Sequence, residues 1–421
     1  AGGAVGGLGS GMDQVHNPLD SPSGLVKSRQ LFREPTRHQP GRRDSSLTST
    51  NKDPILVVVQ LTGGNDYMNT VIPYQNPLYY DSRKRVSVAQ EEVLPISDEL
   101  AFNPALTAVK DLYDQGKVAV INGIGYPGPN RSHFRSMDIW HTCEPEKVGT
   151  EGWLGRAIRD LDPNAKNVLT GVNFGRGLPR AMALTGVPVA SVAVLETYGV
   201  LTGITGEQER IQALDLFSRM YSPIMGTGPV MDYLGSTGLD ALKGADILKT
   251  VPAQYQSRIE YSDSIIGRNL QGIAKVLTAN LGTRIFYTEQ PGYDSHANQG
   301  PLHGILLDHL SHAINDFYED LNEHDTADNV LIYLFTEFGR RVKDNGSGTD
   351  HGAGGLALAI GDPVTGGIYS EFPSMRPEDL EEGDLKYNID FRGVYGTVAE
   401  KWLGLDAASI VGGKFEQLNF V

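Results

Sequence analysis

The chain holds one cysteine, Cys143, among 421 residues. An internal disulfide is therefore excluded, and so is a metal site built on thiolates. Long hydrophobic runs are also missing. The longest comparable stretch, ILVVVQL at 55–61, is far short of the roughly 18 apolar residues that a membrane-spanning helix needs. Positive charge is scarce: 36 Lys+Arg stand against 51 Asp+Glu, a formal net charge of −15. That sign argues against a protein whose affinity would rest on neutralising phosphates along nucleic acid. No G-x-x-x-x-G-K-[ST] phosphate loop occurs, and no G-x-S-x-G elbow sits in a strand-to-helix turn, so nucleotide hydrolysis of the Walker type and ordinary serine-hydrolase chemistry lack their signatures. What is present is 40% hydrophobic residues and 50 glycines. The first can supply a full core. The second, about 12% against a usual ~7%, shows no collagen-like period and must serve turns, close backbone approaches or a flexible segment.

The organisation changes at residue 54. Residues 1–53 open AGGAVGGLGSGM and continue through SPSG, REPTRHQPGRRD and SSLTST with little apolar periodicity, which reads as a Gly/Pro-rich flexible arm, mildly basic on an acidic body. The start at Ala1 rather than Met fits an exported chain cut after a small residue, and equally a fragment. From Pro54 onward strand and helix patterns alternate. Residues 55–61 form a charge-free β-branched run of the kind buried on both faces of a parallel sheet. A helix follows Asn103-Pro104 with Leu106, Val109, Leu112 and Tyr113 on one stripe, and a strand spans 118–121. Further strands are predicted at 168–174, 189–194, 283–288, 330–335 and 356–360, and helices at 132–142, 207–221, 262–279, 303–323 and 394–403. The stretch 196–280 is rich in helix and poor in strand, a helical insertion. The fold class is α/β, with a mostly parallel central sheet flanked by helices. The block Glu371–Asp384, with six acids and one arginine, reads as a solvated loop.

In such a sheet, loops leaving the carboxyl ends of strands line the ligand crevice. Gly63-Gly64-Asn65-Asp66 follows the first strand, as a ligand-bearing turn or a bare one. Tyr293-Asp294-Ser295-His296-Ala297-Asn298-Gln299 follows the strand ending near 288, and His303 lies beyond a Gly300-Pro301 break that would return its imidazole to the same place. Thr336-Glu337-Phe338-Gly339-Arg340 follows the strand 330–335. Gly348-Thr349-Asp350-His351-Gly352 precedes the strand at 356. Carboxylates and imidazoles gathered at strand ends suit a divalent cation. Ser132, in Asn130-Arg131-Ser132-His133, stands at a predicted helix N-terminus, where an anion is favoured. It is either a metal-activated nucleophile, with Asn130 and Arg131 holding the oxyanion, or an ordinary N-cap. His309, His312 and His324 read as solvated or packing residues and Cys143 as a buried small hydrophobe.

The strings QLTGGND, NRSHF, YDSHANQ, FTEFGRR and GTDHG, in this order, with the closing FRGVYGTVAEKWLG, resemble the bacterial family called domain of unknown function 1501, itself similar to the alkaline phosphatase and sulfatase superfamily. The resemblance implies a two-metal site at the strand ends and export by the twin-arginine route to the periplasm or beyond. By position, Asp66 resembles an acidic ligand and Ser132 the nucleophile. Asp294 with His296 or His303 resembles the ligands of one metal, and His351 with Asp350 the late histidine ligand. Glu337-Phe338 replaces a usual Asp-His pair, so a second metal would be absent or a harder ion such as Mg²⁺ or Ca²⁺. Sulfatase chemistry is disfavoured, because Ser132-His133-Phe134-Arg135 does not fit the formylglycine motif.

Together these readings point to an exported metal-dependent hydrolase of phosphate or related anionic esters, small or polymeric, with Zn, Mn, Mg or Ca as its ion. Ser132, Arg131, Asn130 and Arg340 are the expected catalytic set, and Asp66, Asn65, Asp294, His296, His303, Glu337, Asp350 and His351 the expected metal set. The rival is a non-catalytic extracellular assembly subunit that keeps the fold and forms homo-oligomers through its arm.

Overall fold

A computed structural model describes residues 52–199, 207–220 and 229–421; the proposed arm, apart from Lys52 and Asp53, lies outside them. The main sheet among the described residues has nine strands. In chain order they are β1 Ile55–Thr62, β2 Val118–Gly125, β3 Gly171–Phe174, β4 Ala190–Val192, β5 Ile285–Pro291, β6 Val330–Phe335, β7 Gly355–Ile360, β8 Gly367–Tyr369 and β9 Ile389–Asp390. Their order across the sheet is β8-β2-β7-β6-β1-β5-β3-β4, with β9 also on β2. The helices that matter below are α1 Thr107–Asp114, α2 His133–Thr142, α3 Trp153–Leu161, α4 Glu207–Met220, α5 Pro229–Leu248, α6 Ile265–Thr278, α7 Gln299–Glu323 and α8 Phe391–Thr397.

The period-two geometry of a strand sends alternate side chains to opposite faces, and here both faces are covered. Val57, Val59 and Leu61 of β1, with Val330, Ile332 and Leu334 of β6, enter one core, which α1, α6 and α7 close. Leu56 and Val58, with Leu331, Tyr333 and Phe335, enter the other, closed by α2, α3 and α8. A strand apolar at every position but one has no polar face to offer water, so the ILVVVQL run, with Gln60 buried as well, forms a central strand between β5 and β6. Each fully buried aliphatic side chain stabilises this arrangement by about 1.5–3 kcal/mol.

The mostly parallel sheet has one departure that matters for the site. β7 runs antiparallel to both of its neighbours, β2 and β6. Its amino end therefore lies at the edge where β1, β2, β5 and β6 have their carboxyl ends. The stretch 196–280 carries α4, α5 and α6 and no strand among the described residues. Two sequence expectations are corrected. Gly300-Pro301 does not break the chain: α7 starts at Gln299, and Pro301 fits in the first turn, where a backbone N–H has no intrahelical partner to lose. The acidic block 371–384 is not wholly solvated, since Asp384 is buried against Arg131 and Arg341.

Candidate metal centre

Five loops meet at this edge, and close backbone contacts hold them together. Gly63 has φ +119°, and a Cβ there would stand 2.4 Å from the Asp294 nitrogen; only glycine lets the β1 and β5 loops touch. At Gly348 a Cβ would meet the Ser295 carbonyl oxygen at 2.3 Å, which brings the loop before β7 onto the same segment.

Arg340, fully buried, fastens the loops. Its Nε donates to the Gly64 carbonyl (2.7 Å), its Nη1 to Thr349 (2.9 Å), and its Nη2 to the carbonyls of Gly63 and Tyr293 and to Asp294 Oδ1 at 2.8 Å. The guanidinium expected to meet an oxyanion is thus a structural clamp: burial among carbonyls directs its donors inward.

Four side chains face one another at the mouth of these loops. His351 Nε2 lies 3.1 Å from Asp294 Oδ1, and His296 Nε2 lies 3.0 Å from both Asp294 Oδ1 and His351 Nε2. His133 Nε2 is 3.5 Å from Asp294 Oδ2 and has no hydrogen-bond partner although buried. His133, Asp294 and His351 each present one ligand atom within 4.8 Å of the others, a grouping found once among the described residues.

The far nitrogens explain how the imidazoles are aimed. His133 Nδ1 donates to Glu337 Oε1 (2.8 Å), His296 Nδ1 to Asp350 Oδ1 (3.0 Å) and His351 Nδ1 to the Arg131 carbonyl (2.7 Å). A carbonyl or carboxylate can only accept, so each Nδ1 carries the hydrogen and each Nε2 in the neutral ring is a bare lone pair. Two such lone pairs 3.0 Å apart, beside a carboxylate, repel unless a cation lies among them. Ligands at about 2.0–2.1 Å on tetrahedral vertices are about 3.3 Å apart, so the donors fit an ion of that size. Backing imidazoles with carboxylates or carbonyls is also how metal-binding histidines are oriented. Three carboxylates, Asp294, Glu337 and Asp350, outnumber the guanidinium of Arg340, which pairs with Asp294, and that of Arg341, whose charge reaches Asp350, so the cluster is net negative and suits a cation.

The titration tendencies agree. Burial would raise the Asp294 pKa, but the hydrogen bond from Arg340 and the Arg340 charge outweigh it and hold the carboxyl well below its ordinary range. The hydrogen bond to Glu337 raises His133, against the opposing effect of burial. The hydrogen bond from His296 lowers Asp350.

Of the eight residues expected as metal ligands, three, Asp294, His296 and His351, converge. Glu337 and Asp350 stand one step behind: Glu337 also accepts from the Gly63 N–H at 2.9 Å, and Asp350 from Asn345 at 3.2 Å. Asp66, Asn65 and His303 are corrected outright. Asp66 is buried, and its Oδ2 is taken by Arg83 and Gln299. His303 donates through Nε2 to Asn65 Oδ1 at 2.8 Å. Burial pushes His303 down to about 4. A guanidinium already balances the Asp66 carboxylate, so this cluster has no call for a second cation.

Among the expected catalytic residues, Asn130 accepts from the Ser132 N–H at 2.9 Å in a local turn, and Arg131 is paired with Asp384 and Glu382. Both side chains shape the loop; only the backbone carbonyl of Arg131 reaches the cluster, at His351. Ser132 is the N-cap of α2, yet its side chain makes no capping bond. Its exposed hydroxyl has no hydrogen-bond partner among the described residues. The residue missed in the sequence is His133. Its signal was available: a histidine in the first turn after a strand-end loop, the same setting that singled out the others.

A cavity of about 780 Å³ adjoins the cluster, with His133, Asp294 and Glu337 in its wall. It continues past Gln60, Tyr287 and His141 to the loop 175–180 that follows β3. His141 Nε2 donates to Gln60 Oε1 at 2.8 Å, and burial depresses its pKa to about 3.

The family described as Protein of unknown function (DUF1501) matches residues 253–411. This bears out the resemblance carried by the motifs, over a stretch that holds Asp294, His296, Glu337, Arg340 and His351 but not α2. No curated protein matched in sequence. Among solved structures, the PsFucS1 sulfatase from Pseudoalteromonas sp. aligns with TM-score 0.41 and 10% identity over 88% of this chain and 71% of that one. Ps i-CgsB in complex with k-i-k-neocarrahexaose gives 0.37 and 10% over 87% and 73%. The C-terminal periplasmic domain of EcEptC from Escherichia coli, a complex with Zn, gives 0.33 and 10% over 74% and 74%.

Proposed function

We propose that this protein is a hydrolase of anionic esters, phosphate or a chemical relative, that works with one divalent cation held by His133, His296, His351 and Asp294. The observation that carries the reading is the convergence of bare imidazole nitrogens on a carboxylate at 3.0–3.1 Å. Three nitrogens and one oxygen suit Zn²⁺ or a similar transition metal better than the all-oxygen preference of Mg²⁺ or Ca²⁺. With all four donors engaged, an ion held here would take up an ester oxygen only by expanding its coordination; it would then polarise that oxygen and lower the pKa of an adjacent hydroxyl.

The chain's own residues do the rest. Glu337 and Asp350 fix the tautomers of His133 and His296, and the Arg131 carbonyl fixes that of His351. Arg340 holds Asp294 in place. Ser132 is the nucleophile this reading favours: it is at a helix N-terminus, next to His133, and leaves unused the capping bond that serine usually makes there. Asp294 and His296 are about half exposed, so an ester can approach. We also place the protein outside the cytoplasm, a reading supported by the family resemblance. No helix among the described residues is long and apolar enough to cross a membrane.

The test is hydrolysis of phosphomonoesters, phosphodiesters and sulfate esters by metal-free protein resupplied with Zn²⁺, Mn²⁺, Mg²⁺ or Ca²⁺, with Ser132→Ala alongside. Turnover restored by Zn²⁺ or Mn²⁺, and reduced at least about 100-fold in the variant, is the expected result. No turnover with any ion would contradict the reading. Full activity in Ser132→Ala would move the attack to water.

A further inference from the structure

A phosphate-sized group would fill only a small part of the 780 Å³ beside the ion site; the remainder must suit the other half of the ester. One wall of that space is a face of α2. Phe134, Met137, Asp138 and His141 all line it, and they recur at the i, i+3, i+4, i+7 spacing that aligns side chains along one side of a helix. Within a protein such a stripe is ordinarily covered by another element. Here it runs from the mouth, where Phe134 is 93% exposed, to the floor, where His141 is buried. Asp138 is occupied by Arg135 and Arg180, so the side chains left to a ligand on this wall are the apolar Phe134 and Met137. Leu178, 50% exposed, lines the same cavity from the loop 175–180.

We infer that the alcohol half of the ester is a bulky apolar group, of about the size of a fused pair of rings, bound against Phe134, Met137 and Leu178 while the anionic end meets the ion site. This rests on the ester-hydrolase reading and names its substrate class. This stretch of wall favours an apolar group over a polyol, because a sugar lying against it would turn hydroxyls toward side chains that offer them no hydrogen bond; the polar liners Gln60, Asn173, Arg176 and Glu289 stand on other parts of the cavity wall. The continuity of the stripe with His133, one residue before Phe134, joins the two halves of the site on one helix.

The experiment compares kcat/KM of the full-length, zinc-loaded protein for 2-naphthylmethyl phosphate, ethyl phosphate and glucose 6-phosphate. All three are esters of primary alcohols, so the intrinsic reactivity of the leaving group does not decide the order. In parallel, calorimetry measures binding of the non-hydrolysable 2-naphthylmethylphosphonate and ethylphosphonate. A preference of about tenfold or more for the naphthylmethyl ester is expected, with the ratio collapsing in Phe134→Ala, surviving in Phe134→Trp, and mirrored in phosphonate binding. Equal rates, a preference for the sugar phosphate, or a ratio untouched by Phe134→Ala would overturn the inference. If no ester is turned over but the naphthyl phosphonate still binds tightly and through Phe134, the pocket assignment stands and the hydrolase reading fails.

Discussion

At the scale of single residues, the centre depends on groups that touch no ligand position themselves. Glu337 is buried and fixes the hydrogen of His133 on Nδ1, which is what leaves Nε2 bare. Glu337→Gln keeps the size but offers an amide in place of a carboxylate, so Zn²⁺ affinity measured by competition with a chromophoric chelator is expected to fall about 10–100-fold. Unchanged affinity would remove Glu337 from the account. The eight ligand candidates were legible in the sequence as polar residues at strand ends, but which of them face forward was not. Asp66 and Asp294 look alike in the sequence. What separates them is Arg83, a long-range partner 17 residues from Asp66 whose guanidinium takes the carboxylate, and no local pattern announces such a pairing. His133 is masked in the sequence by its neighbour: a serine at a helix start carries the stronger local signal, and only the fold turns the imidazole beside it toward Asp294.

At the scale of elements, the site owes its assembly to loop contacts and to one reversed strand. The β-branched runs at 55–61 and 330–335 were legible because a strand buried on both faces must be apolar at nearly every position. The direction of β7 was not, since an antiparallel and a parallel strand buried on both faces read alike, and only the pairing with β2 and β6 sets it. That reversal is why a loop before a strand, carrying His351, joins loops that follow strands. The two-residue strands 71–72, 94–95 and 101–102 are too short for any periodicity to reveal. Gly63→Ala would force a Cβ into the Asp294 backbone at a positive φ, and a loss of about 2–4 kcal/mol in urea-unfolding stability is expected, together with weaker metal binding. Arg340→Met would strip the donors from four backbone carbonyls and from Asp294. A loss of about 3–5 kcal/mol is expected by the same measurement, and near-wild-type stability would show that Arg340 is not the fastener.

At the scale of the whole molecule, two buried histidines set how stability responds to acid. Burial depresses His141 to about 3 and His303 to about 4, both below the unfolded value of about 6.5. The unfolded chain therefore takes up these protons as pH falls below 6.5 while the folded chain does not. Their stabilising contribution is complete above 6.5 and lost progressively down to about pH 4 and pH 3, by about 1.4 kcal/mol per pH unit for each histidine. Unfolding free energies from urea titrations at steps between pH 7 and 4.5 should show that slope, and a flat profile would contradict it. The measurement closest to the central proposal is the metal content of the purified full-length protein, by elemental analysis after dialysis against Zn²⁺ and removal of free ion. One zinc per chain is expected in the wild type and in Asp66→Asn, with loss in His133→Ala and in His351→Ala. No bound metal, or metal held equally by all four proteins, would contradict a centre built on His133, His296, His351 and Asp294.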